Sequence, residues 1–432
     1  MEFEVLKRNN IKRNVIIVLF IIIIISAVIL NYTLAKYRVT DSVPIINSEI
    51  NYKVPDLNMV SLYIANEEGT YIEADTIPES GYALNKEQSY CGISNNGEII
   101  KDDIVNIVYE NGQVNVLGLT KKGTKCYLYF DENTPSYTMT EIIASYNVGN
   151  RENFSRPYTS TTTNTVYTTT DWKGTSYYFA GAPTDNWVQF GGFYWRIVRV
   201  NGDGSIRLIY NGTSTTTTGT GTLINNGSAQ AFNSEYNRSE YVGLKYTSGE
   251  QHGQTTNSSI LNTLQAWYNS SNLDDYANYI DNTIGFCSDR NMERGSNWSS
   301  QPSGEMYYAA WERLYMNKNP SLACSSNDII KEPVGLITAD EVAFAGGVLV
   351  IANQSYYLYN NQYYWTMTPD YYNGSEAGVM VMLENGSIGD NGGNVNWDKY
   401  NNSDVGIRPV INLKANTKFT GNGTVDSPFE VV

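Results

Sequence analysis

The 432-residue chain holds a single histidine, His252, and four cysteines. One histidine cannot supply a His-based metal cluster, and any Ser-His-Asp or Cys-His arrangement would have to use it. His252 stands between Gln251 and Gly253 in a polar stretch, the setting of an ordinary surface residue. Basic residues are scarce too: 29 Lys and Arg face 44 Asp and Glu, a net charge of −15. Phosphate neutralisation needs clustered cations, so no nucleic-acid partner is expected. The Gly- and Thr-rich stretch 212–227 lacks a Gly-Lys-Ser/Thr ending and a helix directly after it, and reads as a surface loop rather than a phosphate loop. The first apolar run carries no prepilin-type junction, which excludes a pilin. No tryptophan precedes Trp172. Nothing in these patterns calls for a metal or a cofactor.

What is present suffices for packed domains. Hydrophobic residues make up 41% of the chain, enough for a core, and the length suggests two or three domains. Low charge, with abundant Tyr, Asn, Ser and Thr, fits an extracellular β-rich protein or a compositional bias of the genome.

Residues 1–37 carry the compartment signal. Lys7, Arg8, Lys12 and Arg13 precede an apolar run from Val15 to Ile25 that continues past Ser26 to Leu30. Each Ile, Leu or Val favours insertion by roughly 0.3–0.6 kcal/mol. With 31–35 added, the segment reaches about the 20 residues that a spanning helix needs. The basic flank places the N-terminus in the cytoplasm and the rest outside the cell membrane. The expectation is a retained signal anchor spanning the membrane through 15–35. Cleavage after Thr33-Leu34-Ala35 is the alternative.

Residues 38–60, with Pro44 and Pro55, read as a stalk, and 61–132 as a small all-β domain. There Asn111-Gly112 separates two β-type runs and Lys122-Gly123 turns into a third. Residues 133–170 read as a Thr-rich linker with a short helix at 139–146, although the Thr run could instead pair as a strand. A larger α+β domain follows over 171–415. Its strands are expected at 177–180, 187–190, 193–200 and 205–210, with a helix capped by Ser258 or Ser259 that buries Ile260, Leu261, Leu264 and Trp267. Residues 416–432 look like a hairpin tail.

Cys91 and Cys126 fall in the small domain, Cys287 and Cys324 in the large one. In an oxidising compartment one disulfide per domain is the simplest pairing. Each would close a loop of about 36–38 residues, worth roughly 3–4 kcal/mol in the chain-entropy model. A redox role lacks the Cys-x-x-Cys helix start that would lower a thiol pKa.

The most informative stretch is 335–413. Thr338 with Glu341 three residues later is a capping box, starting a helix that stops at Gly346-Gly347. Residues 363–367, with Trp365, form an aromatic β-run ended by Pro369. Asn385-Gly386 turns a hairpin. Residues 405–413 close the domain as a strand, in which Pro409 demands an edge or a bulge. A charge inside that strand needs a partner, so Arg408 is expected to be buried and paired with a carboxylate, on an element neighbouring Trp365 in one sheet.

In this order, the capping-box helix, the Tyr364-Trp-Thr-Met-Thr-Pro369 strand and the Gly406-Ile-Arg-Pro409 closing strand resemble the C-type-lectin-like domains of bacterial surface proteins. That group is fold-related to the formylglycine-generating, sulfatase-modifying enzymes. The likeness covers 172–414 and is most specific in its last third. It implies a β-rich α+β fold and a cell-surface binding role, with a glycan or a protein as ligand. The enzyme branch oxidises a substrate cysteine using two cysteines shortly before its closing strand. Residues 385–405 contain none, so that activity is not carried over and a non-enzymatic role is expected. An extracellular enzyme, either a carboxylate hydrolase or a divergent sulfatase-modifying relative, is the alternative. Diversity-generated receptors, with a variable Asn-rich loop before the closing strand, are a third possibility. In the family resembled, ligands are taken by the loops before the closing strand. Here those loops carry Tyr371, Tyr372 and Asn373, then Trp397, Asp398 and Tyr400, an aromatic platform with polar neighbours.

Overall fold

Alternation organises the smaller of two units. In the strand Lys125–Glu132 every second side chain faces inward, so that Cys126, Leu128 and Phe130 are buried while their neighbours are not. This strand is central. It pairs in parallel with Val60–Ala65 and antiparallel with Tyr82–Leu84 and Tyr90–Asn95. Tyr71–Ala74 and Glu98–Lys101 close the sheet at its edges. Cys91 and Cys126 are direct cross-strand partners and form a disulfide. The strands Asn106–Glu110 and Gln113–Leu117 pair as the Asn111-Gly112 signal predicts.

The computed structural model describes residues 60–66, 70–78, 81–95, 98–101, 105–110, 113–117, 123–132, 136–389, 393–396, 399–400 and 403–432. It divides into two compact units, 1–135 and 136–432. The expected anchor (1–37) and nearly all of the expected stalk (38–60) lie outside the described residues, as do Trp397 and Asp398. Among the described residues no helix is long and apolar enough to cross a membrane.

The larger unit is β-rich with few helices. Its hub is the strand Phe193–Val200, buried from Trp195 onward. It pairs antiparallel with Gly174–Tyr178, Trp187–Phe190 and Ile206–Tyr210 in an eleven-stranded sheet. Val410–Leu413 enters that sheet between Ile206–Tyr210 and Val334–Gly335. A second sheet of four strands is built on Tyr364–Tyr372 and Ala377–Met382. The helix Ser259–Ser270 starts at Ser258, whose hydroxyl accepts from the Leu261 N–H, and buries Ile260, Leu261 and Leu264. Cys287 and Cys324 form the second disulfide.

Three expectations need correction. Residues 136–170 are not a linker. Thr165–Asp171 is a strand paired with Asn147–Gly149 and Gly174–Tyr178, burying Val166 and Tyr167. β-Branched threonines fit a pleated surface, and two apolar side chains among them suffice to fix which face is buried. Arg151 in the same stretch donates to the carbonyls of Ala343 and Phe344, at the end of the helix Ala339–Ala345. The hairpin expected over 416–432 does form, Lys418–Thr420 pairing with Phe429–Val431, but it is no tail outside the domain: Phe429–Val431 joins the large sheet beside Trp187–Phe190. Finally, Pro369 does not end its strand. Tyr364–Tyr372 runs through it, with register shifts on both sides, because a bulge accommodates a residue that has no N–H to donate.

Candidate functional site

Two buried arginines on neighbouring strands of the large sheet set the electrostatics of the core. Arg199 Nη1 lies 2.8 Å from Asp171 Oδ2, and its Nε lies 2.9 Å from Glu341 Oε1. Arg207 Nη1 reaches the same Glu341 oxygen at 3.0 Å. Glu341 also closes the capping box: its Oε2 accepts from the Thr338 N–H at 2.9 Å, and Thr338 Oγ1 accepts from the Glu341 N–H at 3.1 Å. Desolvation pushes the Glu341 carboxyl up, but Arg207, Arg199 and the Thr338 N–H outweigh it and hold the group below the ordinary carboxylate value. One side chain therefore starts the helix and pairs with two buried cations, Asp171 supplying the second negative charge.

The preceding residue faces elsewhere, as neighbours on a helix must. Asp340 pairs with Arg313, Nη2 to Oδ2 at 2.8 Å, and Asp289 binds the same guanidinium. Between these groups lies a pocket of about 20 Å³, lined in part by Trp172, Asp289, Arg313, Asp340 and Thr368. Its volume suits a single water. His252 is tied inward rather than free: its Nδ1 is 3.0 Å from Asp328, which also takes the Arg290 guanidinium.

Trp365 is buried, with its indole N–H donating to the Gln230 carbonyl at 2.6 Å. Its backbone N–H bonds to the Gly406 carbonyl, which sets it against the Arg408 segment, but the two do not share one sheet as expected: Trp365 lies in the four-stranded sheet, and the segment of Arg408 leads into the eleven-stranded one. Arg408 is fully buried, but its expected carboxylate partner is replaced by neutral oxygens. Nε donates to Tyr210 O at 2.8 Å, Nη1 to Leu358 O at 2.8 Å and Nη2 to Asn211 Oδ1 at 2.7 Å. The Tyr364 ring stands 5.6 Å away. Three well-directed acceptors and an aromatic face replace the missing counter-charge. Arg408 also precedes its strand, which begins at Val410.

Of the aromatic platform expected before the closing strand, Tyr371 and Tyr372 are not available, while Trp397 and Asp398 lie outside the described residues. Tyr371 and Tyr372 are strand residues, 7% and 2% exposed. Their hydroxyls donate inward, Tyr371 to Asn394 Oδ1 at 2.6 Å and Tyr372 to the Asn237 carbonyl at 3.1 Å. The bulge at Pro369 lets the strand continue far enough to cover both rings. Asn373 is exposed, and its side chain accepts from the backbone of Ser375 and Glu376 in the following turn. Tyr400 lies in the short strand Lys399–Tyr400, paired with Ser403–Asp404.

A different part of the unit presents an open concavity of about 260 Å³. Its base is the two-residue turn Gly191-Gly192 joining Trp187–Phe190 to Phe193–Val200. Both glycines have positive φ, +59° and +78°, the combination a type I′ hairpin requires. A Cβ on Gly191 would stand 2.5 Å from Leu273 Cδ2, so the turn packs directly on the 3-10 segment Leu273–Tyr276. Phe190 is buried and meets two rings edge-on, Tyr276 at 5.2 Å and Tyr279 at 6.2 Å. Tyr276 remains 39% exposed. Parallel pairing of Trp187–Phe190 with Phe429–Val431 sets Glu430 opposite Gln189, and both line the cleft. The sequence reading missed Gln189, Gly191, Gly192, Tyr276, Tyr279 and Glu430. The Gly-Gly turn was a readable signal, whereas the meeting of 189–192, 276–279 and 430 exists only in the folded chain.

Another aromatic group on this unit is less available. Tyr307, Trp311 and Tyr315 stack in a column, with centroids 4.4 and 5.1 Å apart, and Lys318 Nζ stands 5.2 Å from the Tyr315 centroid. These rings occupy one another's faces. Among the described residues no group of three or more His, Cys, Asp or Glu is placed to hold a metal ion. Comparison of the chain with protein-family models, curated proteins and solved structures finds no match.

Proposed function

We propose that the chain is a cell-surface binding protein, anchored through residues 15–35, whose larger unit is a C-type-lectin-like domain that takes a glycan in the Gly191-Gly192/Tyr276 cleft. The cleft itself carries the reading. It combines a half-exposed tyrosine, held edge-on by a buried phenylalanine, with the polar ends of Gln189 and Glu430. A sugar ring asks for this pairing of an aromatic body to cover its C–H face with a few directional polar groups at the rim. At about 260 Å³ the cleft suits a short glycan epitope rather than a protein surface. The two disulfides fit an extracellular setting.

Binding is favoured over hydrolysis by the placement of carboxylates. Two-carboxylate glycoside hydrolysis needs a facing pair separated by roughly 5–10 Å across the bond to be cut. The cleft lining contains one, Glu430. Asp289 and Asp340 do converge, but both are held on Arg313 beside a pocket of about 20 Å³, too small for a sugar ring. A glycan microarray probed with the full chain in detergent tests the reading. Saturable binding to a defined class of glycan is expected. Release of sugar from the bound glycans would overturn the binding role in favour of catalysis.

A further inference from the structure

The cleft has one charged lining residue, and it is an acid. Glu430 lines it together with Gln189, Phe190, Tyr276 and Tyr279, and no Lys, Arg or His is among the lining residues. The full sequence carries a net charge of −15. A uronate, sialate or sulfate is disfavoured here, since no cation lines the cleft and the Lys414 ammonium, beside Tyr279, is engaged by the Asn278 carbonyl. Gln189 and Glu430 are directly paired on adjacent parallel strands, so amide and carboxylate leave the same face of the sheet side by side, at the cleft that both residues line. A hydroxyl can satisfy either group. An ammonium on the sugar would add an ion pair at Glu430, a Coulombic attraction that a hydroxyl or an N-acetyl group bonded to the same carboxylate does not supply.

Resting on the glycan reading above, we propose that the cleft selects hexosamines with a free amine, that is, cationic de-N-acetylated amino sugars, over their N-acetylated and acidic counterparts. Tyr276 supplies the stacking surface common to all such rings, and Glu430 supplies the discrimination. Because Glu430 is exposed, the discrimination is modest and salt-sensitive.

Calorimetric titration of the full chain in detergent with glucosamine, N-acetylglucosamine and glucose tetramers tests this. The glucosamine tetramer should bind about two- to fivefold more tightly than the other two, the range for an exposed ion pair. The preference should shrink in high salt. Glu430→Gln should abolish the preference for the glucosamine tetramer over the other two, and Tyr276→Ala should weaken all three. Equal or tighter binding of the N-acetylated tetramer, or a preference that survives Glu430→Gln, would overturn the selectivity. So would failure of all three tetramers while another glycan still binds in a Tyr276-dependent way, an outcome that leaves the cleft reading intact. If no glycan binds, or if Tyr276→Ala changes nothing, the cleft reading itself falls.

Discussion

Replacing Glu341 separates two roles held by one carboxylate. Glu341→Ala leaves Arg207 without its carboxylate and Arg199 with Asp171 alone, all inside the core. Breaking a buried pair by removing one partner costs about 3–5 kcal/mol, because the remaining charge stays desolvated. The Thr338 N–H also loses its acceptor, worth about 1 kcal/mol for a lost cap. The total, about 4–6 kcal/mol, would consume much of an ordinary domain's stability. Glu341→Gln keeps the cap, since Gln serves in a capping box, and removes only the charge. It should cost about 2–3 kcal/mol, Asp171 still covering Arg199. Thr338→Ala should cost only about 1 kcal/mol. Urea unfolding followed by tryptophan fluorescence measures all three, because the eight tryptophans lie at or beyond Trp172 and report the larger unit alone. The pH dependence adds an internal check. The folded carboxyl sits below its ordinary value of 4.5, so its stabilisation is present above that pH and is lost as pH falls through the folded value. The gap between wild type and Glu341→Gln should therefore close in acid. Equal stabilities for Thr338→Ala and Glu341→Ala, or a gap that widens in acid, would refute the argument.

Arg408→Lys should destabilise the larger unit by about 1–3 kcal/mol, since an ammonium cannot reach three acceptors at once and one or more is left unpaired; a change below about 0.5 kcal/mol in the same urea assay would contradict the assigned bonds. Non-reducing peptide mapping should recover Cys91 joined to Cys126 and Cys287 joined to Cys324. Removing the first pair should cost the smaller unit about 3–4 kcal/mol and leave the tryptophan-reported transition unchanged. Gly191→Ala should be more damaging than Gly192→Ala. Both take on a strained φ costing about 1–3 kcal/mol, but only the first drives a methyl into Leu273. Mature protein should remain in the membrane fraction, and chain beginning at Lys36 and free in the medium would show the segment to be cleaved.

Elements governed by local chemistry were legible in the sequence. The Thr338–Glu341 cap, the Ser258 cap, the Asn111-Gly112 and Asn385-Gly386 hairpins and both disulfide pairs depend on residues a few positions apart or on a simple count. What failed depended on distant partners. Thr165–Asp171 looked like a linker because its strand neighbours supply most of the reason for it to be extended. Tyr371 and Tyr372 looked exposed because Asn394 and Asn237, which take their hydroxyls, are remote in sequence. Arg408 was correctly placed inside, yet the carboxylate expected for it belongs to Arg199 and Arg207, while carbonyls proved sufficient for it. The cleft was invisible for the same reason, its three pieces being separated by about 80 and 150 residues, distances that the folded topology alone closes.

The cleft and the loops before the closing strand make opposite demands on two aromatic residues, so one comparison decides between them. Affinity of the full chain for its strongest microarray glycan should be measured by calorimetry for wild type, Tyr276→Ala and Trp397→Ala. Loss of one stacking ring in the cleft predicts binding weaker by about three- to tenfold for Tyr276→Ala, about 0.6–1.4 kcal/mol for an aromatic contact, and wild-type affinity for Trp397→Ala. Unchanged binding by a folded Tyr276→Ala variant, with loss in Trp397→Ala, would contradict the cleft and return the site to the loops.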